Sequence, residues 1–98
     1  MEFEWDEVKN QRNIRKHGVS FETAALAFAD PLHVSLQDRI ENGEERWQTI
    51  GAVEGYTLLL VAHLVWDDEE GAEVIRIVSA RKADPKERRL YEQENQYH

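Results

Sequence analysis

The sequence contains no cysteine, so no disulfide can staple the fold, and cysteine nucleophiles and thiolate metal sites are excluded. Stability has to come from packing. Long hydrophobic runs are also lacking. The longest, Leu58 to Trp66, is interrupted by His63 and is too short to span a bilayer. The opening residues MEFEWDEVKN show neither a basic stretch nor an apolar one of the secretory kind, and the expected location is the cytoplasm. No phosphate-binding glycine loop and no nucleophile elbow are present. The four histidines, at 17, 33, 63 and 98, have no metal-ligand spacing. No cofactor or metal is implied.

What is present suits a soluble globular chain. At 98 residues, with 41% hydrophobic and 33% charged side chains, one domain spanning 1–98 with one core is expected. The net charge of -8 opposes nucleic-acid binding when taken as a whole. Its distribution is uneven, however. Lys9, Arg12, Arg15 and Lys16 fall between Val8 and Phe21 with no acid among them. Arg76 to Arg89 holds six basic residues against Asp84 and Glu87, while Asp67, Asp68, Glu69, Glu70 and Glu73 gather the acids elsewhere. Two basic segments meeting in space would make a local phosphate site on an acidic body.

Periodicity predicts an α+β fold with element order β-α-α-β-β-β-β-α. Glu2 to Trp5 alternates as a short strand, and Asp6 caps a helix through Lys16 that Gly18 stops. Ser20 opens a second helix with Phe21, Ala24, Ala25 and Phe28 on one stripe, ended by Asp30-Pro31. The period then becomes two through Leu32, Val34 and Leu36, and Asn42-Gly43 signals a hairpin into a strand from Arg46 to Val53. Tyr56 to Trp66 is apolar on both faces and reads as a central strand, followed by a last strand from Glu73 to Ala80. Asp84-Pro85-Lys86-Glu87 combines an N-cap, a proline at the first helical position and a capping box, opening a helix at least to Glu92, with Gln93 to His98 fraying. The expected arrangement is an antiparallel meander with two N-terminal helices and one C-terminal helix packed on it.

These residues carry a resemblance. Phe3-Glu4-Trp5-Asp6, Lys9-Asn10, Asn13 and Lys16-His17-Gly18-Val19-Ser20-Phe21 with Ala24 resemble the N-terminal signature of the BrnT toxin family, and Asp30-Pro31 follows in its usual place. Glu44-Glu45-Arg46-Trp47 with Ile50-Gly51 resembles the middle block of that family. Arg76 to Ala83 with Glu87-Arg88 and Tyr91 resembles its C-terminal block. The resemblance implies a RelE-like fold, ribonuclease activity on cellular RNA, and inhibition by a BrnA-type antitoxin with its own DNA-binding domain. The two proteins would repress their operon together, so operator DNA is met only through the antitoxin, and a 2:2 complex is the natural assembly.

Cleaving RNA without a metal requires a proton to leave the ribose 2′-hydroxyl, one to reach the departing 5′-oxygen, and charge stabilisation at phosphorus. The catalytic candidates are His17, His63, Arg76, Arg81, Glu87 and Tyr91, with Lys9, Arg12, Lys16, Arg46 and Lys82 as RNA-binding candidates. Each has a plainer reading. His17 could cap the C-terminus of its helix, His63 could be a buried hydrogen-bonded histidine, and Arg76 could be an ion-pair residue. Arg81 and Lys82 could form a solvated charge cluster, Glu87 a capping box, and Tyr91 a packing contact. Trp5, Trp47 and Trp66 read as core or interface anchors. The alternative function is a docking module without catalysis, acting as the antitoxin's partner and co-repressor. A third reading, interference with gyrase or ribosome as in other RelE-like and ParE-like toxins, is separated from the first by an assay on naked RNA.

Overall fold

A computed structural model describes residues 1–56 and 58–96. Thr57 of the expected central strand, and Tyr97 and His98 of the expected frayed end, lie outside the described residues. The elements run β1 (Glu2–Glu4), α1 (Glu7–His17), α2 (Phe21–Ala25) continued by a 3₁₀ turn (Leu26–Ala29), β2 (Val34–Glu41), β3 (Glu44–Gly51), β4 (Leu59–Asp67), β5 (Glu73–Lys82) and α3 (Pro85–Asn95).

Local chemistry sets the helix ends. Asp6 accepts from the backbone N–H groups of Val8 and Lys9 at 2.8 and 3.2 Å, which occupies donors that a helix start leaves unpaired. At the other end Gly18 takes the left-handed conformation (φ 71°) and its N–H bonds to the Ile14 carbonyl. The second helix tightens after Ala25. Its last turn presses on β3 so closely that a Cβ at Gly51 would stand 2.3 Å from the Ala27 carbonyl oxygen. Gly51 is therefore what admits Ala27 and Phe28 to the core.

The five strands are ordered β1-β5-β4-β3-β2. The antiparallel meander holds for β2 to β5. The first strand departs from the expectation: β1 pairs parallel to β5, with Phe3 opposite Ile75 and Glu4 opposite Arg76, so the sheet is mixed. A parallel partner far along the chain leaves no local turn signal to read. Asn42 and Gly43, both at positive φ (53° and 78°), make the tight β2–β3 turn whose twist matches that of its strands.

Alternation along β4 divides the core. Leu59 and Val61 join Val19, Phe21, Ala24 and Ile77 beneath the N-terminal helices. Leu58 and Leu60 face the other way, with Ile50 and the α3 residues Leu90 and Tyr91. Strand β4 is central, and from Leu59 to Leu64 it is largely buried on both faces, which is why that stretch is apolar apart from His63.

Beyond Arg76 the outer edge of β5 no longer has β1 beside it, and α1 takes over. The buried Asn13 side chain donates to the Ala80 carbonyl (2.8 Å) and accepts from the Ala80 N–H (3.2 Å), which replaces one rung of a missing strand. It also donates to the Val19 carbonyl. Asn10, equally buried, accepts from the Phe21 N–H at 2.8 Å. Two polar residues thus fix α1 to the sheet and to α2. Among the described residues no helix is long and apolar enough to cross a membrane.

Candidate functional site

A groove of about 250 Å³ lies between α1 and β5. Lys9, Arg12 and Lys16 are spaced at i, i+3 and i+7, which puts them on one helical face, and His17 ends the helix beside them. Val78 and Ser79 form the opposite wall. The pairing of β4 with β5 slips by one between Ala62 and His63, so Val78 is an extra residue bulged out of the ladder. Such a bulge re-aims side chains, here bringing two consecutive residues of one strand to the same groove.

The charges of this groove are of one sign. None of Lys9, Arg12 and Lys16 forms an ion pair with another described residue. Lys16 and His17 stand in the last turn of α1, where the helix dipole favours cations. His17 is half-buried, and Gly18 already closes the helix through its backbone, leaving the imidazole without a side-chain hydrogen bond among the described residues. Concentrated positive potential with unpaired cations suits a phosphate backbone, and a half-exposed imidazole beside it suits proton transfer.

Arg81 follows Ser79 by two positions, about 7 Å along the strand. It is taken up differently. Its guanidinium grips Glu87 in two parallel bonds of 2.8 and 2.9 Å, and Glu87 also accepts from the Asp84 N–H to complete the capping box. Bonding to Glu87 strengthens the hold of Arg81 on its proton. The pair ties the start of α3 to the end of β5. Lys82 ends the strand, exposed. Arg76 is paired with Glu4 across the β1–β5 edge at 3.1 Å, both partly exposed. Arg46 lies opposite Leu64, which lies opposite Arg76, so these two arginines share a row across the sheet away from the α1 groove.

His63 belongs elsewhere. It is 3% exposed, lies edge-on to Phe28 at 4.9 Å, and bonds through Nε2 to the Thr49 hydroxyl at 2.8 Å. Burial pushes its pKa down to about 4, so the ring is neutral near pH 7. Tyr91 donates to Asp30 at 2.6 Å, and burial together with that carboxylate pushes its pKa up to about 12. Burial would raise Asp30 in turn, but bonds from Tyr91, Ala52 and Leu32 hold it below the ordinary carboxylate value. Tyr91 is a strut between α3 and the turn before β2, with its proton firmly held.

Among the described residues, no three His, Asp or Glu side chains stand together as metal ligands would. Comparison with curated proteins returns no match. Comparison with family models is decisive: the model described as ribonuclease toxin, BrnT, of type II toxin-antitoxin system matches residues 5–87. The chain belongs to the BrnT family. That membership makes the chain a ribonuclease toxin by class, with RNA as substrate class and an antitoxin as partner class.

The whole α1 groove lies inside the BrnT match, as do Arg81 and Glu87; Tyr91 lies beyond it. Of the candidates read from sequence, the structure brings together Lys9, Arg12, Lys16 and His17. It keeps His63, Arg76, Arg46 and Tyr91 out of that groove. Sequence reasoning missed the walls, Val78 and Ser79, and the positioning role of Asn10 and Asn13. The one signal for them was that two asparagines interrupt α1 three residues apart on a single face.

Proposed function

We propose that this BrnT protein is a RelE-like, metal-independent endoribonuclease whose catalytic groove is the one between α1 and β5. The unpaired cluster of Lys9, Arg12 and Lys16 around His17 is the observation that carries this reading. The lysines and Arg12 grip the phosphates flanking the scissile bond. His17 accepts the 2′-hydroxyl proton as that oxygen attacks phosphorus, and the bond to the 5′-oxygen breaks as that oxygen takes a proton from water, leaving a 2′,3′-cyclic phosphate. The cations offset the charge that develops on the phosphoryl oxygens. Arg81 is a positioning residue in this scheme, holding α3 through Glu87. The toxin acts in the cytoplasm and is silenced by a BrnA-type antitoxin in a 2:2 complex that also represses the operon.

The test is incubation of the purified, antitoxin-free chain with total RNA in EDTA, beside His17→Ala. Wild type cleaves, and the variant loses about 100- to 10,000-fold in rate. Intact RNA with a well-folded wild type overturns the reading in favour of the docking module or a ribosome-dependent activity. Undiminished cleavage by His17→Ala removes His17 from the mechanism.

A further inference from the structure

Strand β2 is the open edge of the sheet: β3 pairs with one side of it, and no strand among the described residues pairs with the other. An open edge presents unpaired N–H and C=O groups, which proteins guard with charges, bulges or cover. Here the guards stand at one end only. The ladder slips at Asp38, and the hairpin beyond it carries Arg39, Glu41, Glu44 and Glu45. Leu32 to Gln37 contains no Asp, Glu, Lys or Arg, and from Ser35 to Gln37 every side chain is exposed. That half of β2 is open to a further strand, and the bulge at Asp38 fixes where such pairing stops.

This edge borders a groove of about 420 Å³ between β2, β3 and α3. Its floor is apolar. Val34 lies opposite Ile50, so alternation puts Leu36, 37% exposed, on the face where Ile50 packs with Leu90 of α3. Lys86 and Arg89 stand along the α3 rim one helical turn apart, both exposed and neither ion-paired with another described residue. Glu87 also lines the groove, but Arg81 already holds its carboxylate at 2.8 and 2.9 Å. The unpaired charge lining the groove is therefore positive, on a chain whose net charge is -8.

We propose that this edge and groove together seat an extended acidic segment of a partner protein, which adds to β2 as a further strand. An occupant has to meet a strand edge, an apolar floor and two cations at once. A polypeptide strand does so: its backbone pairs with the edge, and its alternate side chains reach the groove, apolar beside Leu36 and Leu90 and carboxylate where Lys86 and Arg89 stand. An RNA strand meets the cations alone. A second copy pairing β2 with β2 brings the stretch from Leu32 to Gln37, which has no acid for Lys86 or Arg89, and sets two bodies of charge -8 against each other. The proposal goes beyond the ribonuclease reading and does not depend on it.

The peptide Ac-Val-Thr-Val-Thr-Glu-Thr-Glu-amide, whose alternate residues set valines and glutamates on one face, is titrated into the full chain and followed by amide chemical shifts and hydrogen exchange. Ac-Val-Thr-Val-Thr-Lys-Thr-Lys-amide and a thymidine hexadeoxynucleotide run alongside. The glutamate peptide saturates the shifts of Leu36 and Leu90 and slows exchange at those amides from Val34 to Gln37 that point away from β3. The lysine peptide binds more weakly. Lys86→Glu/Arg89→Glu, two exposed changes, weakens the glutamate peptide by about tenfold and reverses the order of the two peptides. Lys9→Ala/Lys16→Ala binds the glutamate peptide unchanged, which keeps this outcome separate from the fate of the α1 groove. No saturation, unslowed exchange along β2 at saturation, an unchanged peptide order in the charge-reversed variant, or tighter binding of the nucleotide each overturns the proposal. Exchange along β2 that slows as the peptide-free chain is concentrated gives the edge to a second copy and overturns it as well.

Discussion

His17 ends α1 half in water beside three unpaired cations, whereas His63 is sealed in β4 against Phe28, bonded to Thr49 and held neutral. Both histidines are candidates in the sequence for acid–base work near neutral pH. Their surroundings give them different chemistry. A residue that must exchange protons with a substrate needs access and a pKa near the working pH, and a histidine pushed to about 4 by burial has neither. The difference also assigns costs. The groove around His17 is built from surface charge, which contributes little to folding, while the region around His63 is built from burial, which contributes much.

The largest expected effect comes from undoing what holds the His17 groove in place. Asn13→Ala removes the rung to Ala80 and the bond to Val19, leaving three buried backbone groups unpaired. A loss of roughly 3–5 kcal/mol in unfolding free energy is expected, read by urea denaturation. A loss under about 1 kcal/mol would mean that α1 sits on β5 without this anchor, and that the groove owes its shape to something else.

The next effect tests the His63 side by pH. The folded state keeps His63 neutral down to about pH 4, while the unfolded chain binds a proton near the ordinary 6.5. Between those values the unfolded state holds more protons, so stability rises with pH across the window and is level in this respect above it. The contribution is about 3 kcal/mol from one end of the window to the other. Urea denaturation from pH 4 to 7 should show it in the wild type, and His63→Phe should lack that part of the slope. An unchanged slope in the variant would put the buried titration elsewhere.

What could be read beforehand follows the range of the interactions. The Asp84, Pro85 and Glu87 start of α3, the Asp6 cap, the Gly18 stop and the Asn42-Gly43 turn are settled by neighbours within a few residues, and each stands where the sequence puts it. The parallel pairing of β1 is settled by contacts across most of the chain, such as Arg76 with Glu4, so nothing near Phe3 announces it. The same limit applies to the site. Basic residues of α1 could be grouped by helical spacing, but the bulge at Val78 and the relay from His63 through Thr49 to Ser35 depend on strand register. Arg81 and Glu87, six residues apart, could each be named, yet their pairing needs the turn between β5 and α3 to bring them face to face.

A smaller effect separates the two helices that flank the sheet. Where α1 is held by buried asparagines, α3 makes more open contacts: Tyr91 on Asp30 at 2.6 Å, half-buried, and Asn95 on the Leu32 carbonyl at 3.0 Å, exposed. Solvent competes for both. Tyr91→Phe should cost about 1 kcal/mol by denaturation, well short of Asn13→Ala, with RNA cleavage retained. Loss of cleavage without loss of stability would return Tyr91 to the catalytic set.

The smallest effect on folding carries the clearest reading of function. Lys9→Ala/Lys16→Ala removes two cations that pair with no described residue, so stability should stay within about 0.5 kcal/mol of wild type. RNA binding should respond strongly. The slope of log affinity against log salt should fall by about 0.7 for each phosphate of a single strand that the variant no longer neutralises. His63→Phe should leave that slope alone while shifting stability, the reverse pattern. If both variants move both quantities, groove and core are coupled and the two histidines do not mark separate regions. If the lysine pair moves neither, RNA lies on another face, and the cluster on α1 is surface charge with no phosphate to hold.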